Sequence, residues 1–229
     1  MGIKDKYKVQ STKTEVVKEW FLKKHYAYRI PSISFCFALF NNDGYVVGVC
    51  SFGQPPVNFN DSNDICIGIE NVKVVELNRL ITNDDLEKNV LSFFVSECFK
   101  LLPKPMIIVS YSDTRQNHNG YIYQATNWIY TGLPNKTGGK EYFIDGNWMS
   151  NKSLADRHGT RSVNDLDKIY KDCDSRDVSL KHRYFYFIGN KKQKKQMLKR
   201  LKYETKPYPK GQNKNYDAGY KPTTQAILF

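Results

Sequence analysis

The sequence is poor in the features that mark a membrane protein, a secreted protein or a metal protein. No apolar run approaches the ~18 residues that a membrane-spanning helix needs, so no membrane partner is expected. The first eight residues are rich in lysine but have no apolar stretch behind them, so no secretory signal is expected and a cytoplasmic site of action follows. The five cysteines, Cys36, Cys50, Cys66, Cys98 and Cys173, are odd in number and never form a Cys-x-x-Cys pair, which argues against both a zinc ribbon and a disulfide framework. Cys36 and Cys50 in strand-like runs and Cys98 on an apolar helix face read as reduced thiols that behave as small hydrophobes. The His-x-Glu and Cys-x-x-Cys signature of zinc deaminases is missing as well, and no metal site is expected.

Acidic residues are scarce near the C-terminus. Between Lys181 and Lys210 eleven Lys or Arg face the single acid Glu204, so this window holds +10 of the formal +12. A clustered excess of one sign attracts polyanions, nucleic acid above all. Arg183, Lys191, Lys192, Lys194, Lys195, Lys199 and Arg200 are the candidate nucleic-acid contacts, and a solvated basic face is the plainer alternative. Tyr184 and Tyr186 beside them are either a stacking platform or one packed face of a strand.

What is present suffices for a large core: 229 residues, 40% apolar and 14% aromatic. Residues 12–26 predict an amphipathic helix, with Thr12 and Glu15 as a capping box and Val16, Val17, Trp20 and Phe21 as its buried stripe. Residues 33–40 and 45–52 predict two strands joined by Asn41-Asn-Asp-Gly44 as an antiparallel hairpin. Residues 53–71 read as a long polar loop or lid. A strand over 72–80, a helix over 84–101, a strand at 107–109, a short helix over 120–127 and strands at 128–131 and 141–144 complete the first part. Beyond Asp145 a helix at 162–171, a strand at 182–188 and a basic helix at 191–201 are expected, with a Pro, Gly and Tyr-containing tail behind them. The fold class is α+β, with α/β character: a mixed, mostly antiparallel central sheet flanked by helices. The expected division is a domain over 1–150 and a basic C-terminal extension over 151–229.

The most informative stretch runs from Met106 to Gly132. The apolar run Ile107-Ile-Val109 empties into a loop of Tyr111, Ser112, Asp113, Arg115, Asn117 and His118 before helical spacing resumes, and reactive groups are commonly presented at such strand ends. Asp113 is either a general base or the cap of the loop. Arg79, near the end of a strand beside Asn78, pairs with Asp113 or Glu76 or binds an anionic ligand. Tyr111, Ser112 and Tyr123 offer hydroxyl donors or core packing, and His118 offers an acid or base without a carboxylate at fixed spacing.

Several motifs occur together: Glu76-Leu-Asn-Arg-Leu80, Lys88-Asn-Val-Leu-Ser-Phe-Phe94, Val109-Ser-Tyr-Ser-Asp113, His118-Asn-Gly-Tyr-Ile-Tyr-Gln-Ala-Thr-Asn-Trp128 and Tyr130-Thr-Gly132. In this order they resemble the Mom family of phage DNA-modification proteins, and the order of elements resembles the GNAT (Gcn5-related N-acetyltransferase) fold. The match is best over residues 72–132, with looser similarity from Tyr28-Arg-Ile-Pro31 to Phe52 and in Asp156-Arg-His-Gly159 and Lys181-His-Arg-Tyr184. The resemblance implies a transferase that converts adenine in double-stranded DNA to an N6-carbamoylmethyl base and so protects phage DNA from restriction endonucleases in the host cytoplasm. For that reaction the candidate catalytic set is Asp113, Arg79, Tyr123 and His118, with Asn78, Tyr111 and Ser112 on the substrate side, where Tyr28 and Arg29 resemble family positions. Lys88, Asn89 and Ser92 would meet the donor, which is either a thioester of the acetyl-CoA type or an aminoacyl-tRNA. The expected assembly is a monomer or homodimer.

One departure bears on the donor. GNAT enzymes cradle the coenzyme A pyrophosphate on a glycine-rich loop at a helix N-terminus. Ile81-Thr-Asn-Asp-Asp-Leu-Glu-Lys88 has no glycine, and Asp84, Asp85 and Glu87 compete with a pyrophosphate for the helix dipole. Two other readings stay open: an acyl- or aminoacyltransferase acting on an amine of protein, small molecule or tRNA, and a non-catalytic DNA-binding anti-restriction protein.

Overall fold

The structure is a computed structural model that describes residues 2–134 and 139–211; most of the expected tail lies outside the described residues. The chain opens with one helical turn, α1 (Ile3–Lys6), and a strand, β1 (Tyr7–Ser11), neither of them anticipated. β1 lies antiparallel to β2 (Phe35–Asn41), and Thr12 N prolongs the pairing by donating to Cys36 O at 2.9 Å. Thr12 is therefore strand-like and caps no helix. In place of the helix expected over 12–26 there are turns and a π-helical segment, Trp20–Lys24, which buries Val17, Trp20 and Phe21 but leaves Val16 exposed.

β2 and β3 (Val46–Gly53) form the expected hairpin, with Gly44 at φ +79° in its turn. Residues 53–71 are not a lid. They contain a short helix, α2 (Ser62–Ile65), capped by Asp61, and they bury Phe59, Ile65, Cys66 and Ile69. β4 (Lys73–Thr82) comes next, then α3 (Val90–Leu101), which starts later than its acidic first residues suggested. Asn89 sits in the left-handed region at φ +71°, and Asp84 and Glu87 are held outside the helix by Lys24 and Lys6. The chain continues through β5 (Met106–Asp113), α4 (Tyr121–Ala125), β6 (Ile129–Tyr130), β7 (Lys140–Ile144), β8 (Asn147–Ser150), α5 (Asn151–His158), α6 (Val163–Ile169), β9 (Ser175–Asp177), β10 (Lys181–Ile188) and α7 (Lys191–Lys199).

The main sheet has seven strands in the order β1-β2-β3-β4-β5-β10-β6, antiparallel except for the β4–β5 pair. This is the expected mixed, mostly antiparallel α+β architecture. A division at residue 150 does not follow the sheet, because β10 returns between β5 and β6. What stands apart is a three-stranded sheet, β8-β7-β9, closed by α5 and α6 over Tyr142, Leu154 and Leu166. α7 is no loose appendage either: Met197 is buried with Phe59 and Phe185. As its alternation predicted, β10 turns Tyr184 and Tyr186 toward one core cluster and Phe185 and Phe187 toward another.

The sheet splits at its centre. β4 and β5 are paired only from Lys73↔Met106 to Glu76↔Val109; beyond that β4 stays with β3 and β5 stays with β10. A bulge makes the fork. Leu77 opposes Phe52 and Arg79 opposes Ser51, so Asn78 is the extra residue on β4. Such a bulge bends its strand and re-aims the side chains beyond it. Leu77 and Leu80 pack in one cluster and Ile81 in another, so the bulge moves Arg79 from the Leu77 face to the Ile81 face.

Candidate functional site in the fork

The fork opens into a cavity of about 510 Å³, whose lining includes Glu76, Asn78 and Arg79 from β4 and Tyr111, Ser112 and Asp113 from β5. His25, Tyr26 and Arg29 border it from the segment after the π-helical turn, Asn89 from the start of α3, His118 and Tyr123 from the loop and α4, and Lys181 from β10. The sequence-predicted Arg29, Asn78, Arg79, Asn89, Tyr111, Ser112, Asp113, His118 and Tyr123 are thus brought together. Tyr28, Lys88 and Ser92 do not line the cavity; Tyr28 is exposed, and the Ser92 hydroxyl donates to Asn89 O at 2.9 Å.

Several of these side chains have structural work. Asp113 caps the 3-10 turn Thr114–Gln116 by accepting from Arg115 N at 2.9 Å, and its other oxygen lies 3.8 Å from Lys181 Nζ. Asn78 accepts from Ser51 Oγ and donates to Ser32 O, each at 2.7 Å, which fastens the bulge. Tyr123 is buried with its hydroxyl 2.7 Å from Ser110 Oγ, and burial raises its pKa, so it holds its proton at neutral pH. The bulge also brings Ser32 against β3: a Cβ on Gly53 would fall 1.7 Å from Ser32 O.

Other groups are left open to a ligand. Arg79 forms neither of the ion pairs weighed from sequence; Nη1 donates to Asn78 O at 2.6 Å, and Nε is buried without a partner. Ser112 Oγ is buried beside the Tyr184 phenol. Buried polar groups without partners are rare enough to call for a physical reason. The Glu76 carboxylate has no hydrogen bond or ion pair among the described residues. Burial raises its pKa, against the opposing pull of Lys181, Arg79, Lys152 and Arg29.

His25, Tyr26 and Tyr111 are neutral donors. Burial first, then the charges of Arg79, His118 and Arg29, push His25 down to about 3. Its Nδ1 accepts from Ala27 N at 3.0 Å, which places the proton on Nε2. Tyr26 and Tyr111 are pushed up by burial, with Asp113 and Glu76 respectively adding to the effect, so both phenols stay protonated. The site therefore combines one unpaired carboxylate, the guanidiniums of Arg29 and Arg79, and a set of hydroxyl donors. Among the described residues no group of three or more His, Cys, Asp or Glu is placed to hold a metal ion, and no helix is long and apolar enough to cross a membrane.

Sequence reasoning passed over Glu76 as a site group and missed His25, Tyr26 and Lys181 as lining. A carboxylate in the apolar run Val74-Val75-Glu76-Leu77 was a usable signal. His25, Tyr26 and Lys181 reach the cavity through tertiary contacts that no local pattern encodes.

The residues before α3 do not fit the diphosphate of coenzyme A. Asp84, Asp85 and Glu87 are exposed carboxylates, and Asn83 Oδ1 is a buried acceptor with no donor, a group that suits an N–H rather than a phosphate oxygen. On the far side of the sheet the α7 lysines Lys191, Lys192, Lys194, Lys195 and Lys199 are exposed. Arg183 and Arg200 are not free in the same way. Arg183 stacks 3.8 Å over Tyr203 and donates to Thr131 Oγ1, and Arg200 donates to Ile67 O and Gly68 O. Tyr184 is buried and Tyr186 stacks on Phe99 at 4.4 Å, so this strand face is packed and offers no stacking platform.

The Mom protein family model matches residues 6–210, nearly the whole described chain. The chain belongs to the Mom protein family. One relative is the methylcarbamoylase mom of Escherichia phage Mu, 27% identical over 218 residues, covering 89% of this chain and 86% of the relative. Among solved structures, NAA60 of Arabidopsis thaliana in complex with acetyl-CoA is similar at a TM-score of 0.47 with 8% identity, over 80% of this chain and 99% of that one. Spermidine/spermine N-acetyltransferase SpeG of Vibrio cholerae is similar at 0.45 with 7% identity, over 81% and 95%. This Mom family member carries the motifs of residues 72–132 on the two arms of the fork, at the start of α3, on the loop and helix that come after β5, and at β6.

Proposed function

We propose that this chain is a transferase that modifies adenine in DNA at N6, to a carbamoylmethyl-type base, in the host cytoplasm. The observation that carries the reading is the fork cavity of a Mom family member, which holds an unpaired carboxylate beside a guanidinium and protonated phenols. Adenine N6 is a weak nucleophile because its lone pair is delocalised into the ring, so a proton must leave N6 as it bonds to the donor carbon, while that carbon's bond to the sulfur or oxygen of its carrier breaks and the carrier departs with the electron pair. The base must first leave the helix stack, at a cost of about a few kcal/mol.

Glu76 is the better proton acceptor of the two acids. Asp113 is committed to its cap and to Lys181, whereas the Glu76 carboxylate faces the cavity, and its raised pKa moves it toward the range in which general bases work. Arg79 supplies an unpaired donor for the polar end of the donor molecule, and Tyr26 and Tyr111 donate to ring or carbonyl acceptors. The lysines of α7 supply sequence-independent attraction to the duplex.

The test is mass spectrometry of nucleosides from plasmid DNA of cells that express the protein. A deoxyadenosine heavier by a carbamoylmethyl group, lost in Glu76→Gln, is the expected result. Unmodified DNA from well-expressed, folded protein would overturn the reading and leave transfer to another amine, or masking of DNA without chemistry.

A further inference from the structure

The three-stranded sheet has two faces of different character. Tyr142 points into the small core with Leu154 and Leu166. The opposite face carries Glu141 and Phe143 by strand alternation, with Trp148 directly across from Phe143 and Arg176 directly across from Glu141. The Phe143 and Trp148 rings lie 5.2 Å apart and are 40% and 38% exposed. The Arg176 guanidinium lies 3.8 Å from the Trp148 ring centroid, and its Nε donates to Glu141 Oε2 at 2.9 Å.

Glu141 ties this surface to the site. Its Oε2 also meets Arg115 Nη1, while Arg115 Nη2 donates to Asp177 O at 2.6 Å. Arg115 is the residue whose backbone N–H Asp113 caps, so the chain Asp113, Arg115, Glu141, Arg176, Trp148 runs without a break from the cavity to the outer sheet. Glu141 is shared by two guanidiniums, so Glu141, Arg115 and Arg176 together carry net positive charge. Arg115 ties the turn after β5, between the lining residues Asp113 and His118, to β7, so the small sheet stands beside the loop that borders the cavity.

We propose that Phe143, Trp148 and Arg176 form a stacking surface for a base of the substrate DNA next to the extruded adenine. The inference rests on the DNA-modification reading. Removing a base from a duplex exposes the faces of its neighbours. Aromatic rings with an adjoining guanidinium take up such faces without regard to sequence, and Glu141 holds the three groups in a fixed relation to the Asp113 loop.

The protein carries its own probe. Of its three tryptophans, Trp20 and Trp128 are 0% and 1% exposed, so quenching of tryptophan emission on stacking reports Trp148. The full chain is titrated with a duplex bearing a central mismatched adenine, while anisotropy of labelled DNA follows total binding. Saturable quenching that disappears in Trp148→Leu is expected, with about tenfold weaker binding in Phe143→Ala/Trp148→Ala. The double variant should unfold at the wild-type temperature, since Tyr142, Leu154 and Leu166 form the core beneath. DNA binding by anisotropy with unchanged emission would overturn this inference alone. No DNA binding would overturn it together with the DNA reading, and quenching by tRNA but not by duplex would overturn the commitment to DNA.

Discussion

Ser110 Oγ lies 2.7 Å from Leu77 O and 2.7 Å from the Tyr123 hydroxyl, one step beyond the last parallel pair of the fork. A serine has one proton and a carbonyl can only accept, so Ser110 donates to Leu77 and Tyr123 donates to Ser110. The side chain replaces the ladder bond that Leu77 O loses when β5 turns away, and it fixes α4 to the point of the split.

Ser110→Ala should therefore cost about 1–3 kcal/mol, because it leaves a buried carbonyl and a buried phenol unsatisfied. The cost is read from denaturant midpoints at constant slope. Tyr123→Phe, which frees only an acceptor on Ser110, should cost less. Equal stability of all three proteins would mean that the fork does not depend on this bridge.

Glu76→Gln separates stability from chemistry. Burial raises the folded pKa of Glu76, so the folded chain binds its proton more tightly than the unfolded chain does. Wild-type stability is lost as pH rises from the unfolded value, about 4.3, through the raised folded value, and stays reduced above it. The variant should be the more stable protein at neutral pH, equal to wild type in acid, and inactive. Wild-type activity should rise with pH through the same window. A variant less stable than wild type at pH 7 would show that the carboxylate is compensated by partners other than the cavity.

The parts of the molecule legible in sequence were those governed by local pattern. The β2–β3 hairpin, α3, β5 and the two-faced β10 follow from alternation, turn residues and helical spacing. The loop after β5 stood out because polar residues interrupt an apolar strand. The bulge at Asn78 had no such mark: Glu76-Leu-Asn-Arg-Leu80 reads as an uninterrupted strand, and only pairing with Ser51 and Phe52 shows the extra residue. β1 was hidden because Tyr7–Ser11 alternates weakly, and the place of β10 inside the sheet is a long-range choice. Residues 12–26 misled because a stripe of Val17, Trp20 and Phe21 suits turns and a π-helical segment as well as an α-helix.

His25 should give the protein an acid-sensitive limb. Its folded pKa is lowered to about 3, while the unfolded chain takes up the proton near 6.5. Stability contributed by the neutral ring is complete above pH ~6.5 and declines as pH falls toward 3, by on the order of 5 kcal/mol in full. His25→Asn, which keeps an acceptor for Ala27 N–H, should flatten the fall measured by urea unfolding between pH 7 and 4.5. An unchanged slope would assign the acid limb to other groups.

The α7 lysines should govern affinity without touching chemistry. Removing residues 191–229 would strip Met197 from the core and break the bridge between Leu201 and Cys66, so substitution is the cleaner probe. Replacing Lys191, Lys192, Lys194 and Lys195 by Ala should leave the fold intact, weaken DNA binding, and lower the slope of log K against log salt by about 0.9 for each phosphate that is no longer neutralised. An unaltered salt slope would exclude this face from the DNA interface.

Asp113 can be divided into its cap and its charge. Asp113→Asn keeps an acceptor for Arg115 N and loses the charge that faces Lys181, an exposed partner whose loss costs little. Asp113→Ala loses both, and the missing cap should cost about 1 kcal/mol. If Asp113 acts by holding the loop that Arg115 joins to Glu141, the Asn variant modifies DNA at near wild-type rate while the Ala variant is impaired in rate and in stability. That outcome is expected, because Oδ1 caps the turn and Oδ2 faces the Lys181 ammonium, whereas the Glu76 carboxylate has no such partner among the described residues. An Asn variant as stable as wild type but as inactive as the Ala variant would assign the proton transfer to the Asp113 carboxylate and leave Glu76 to bind substrate.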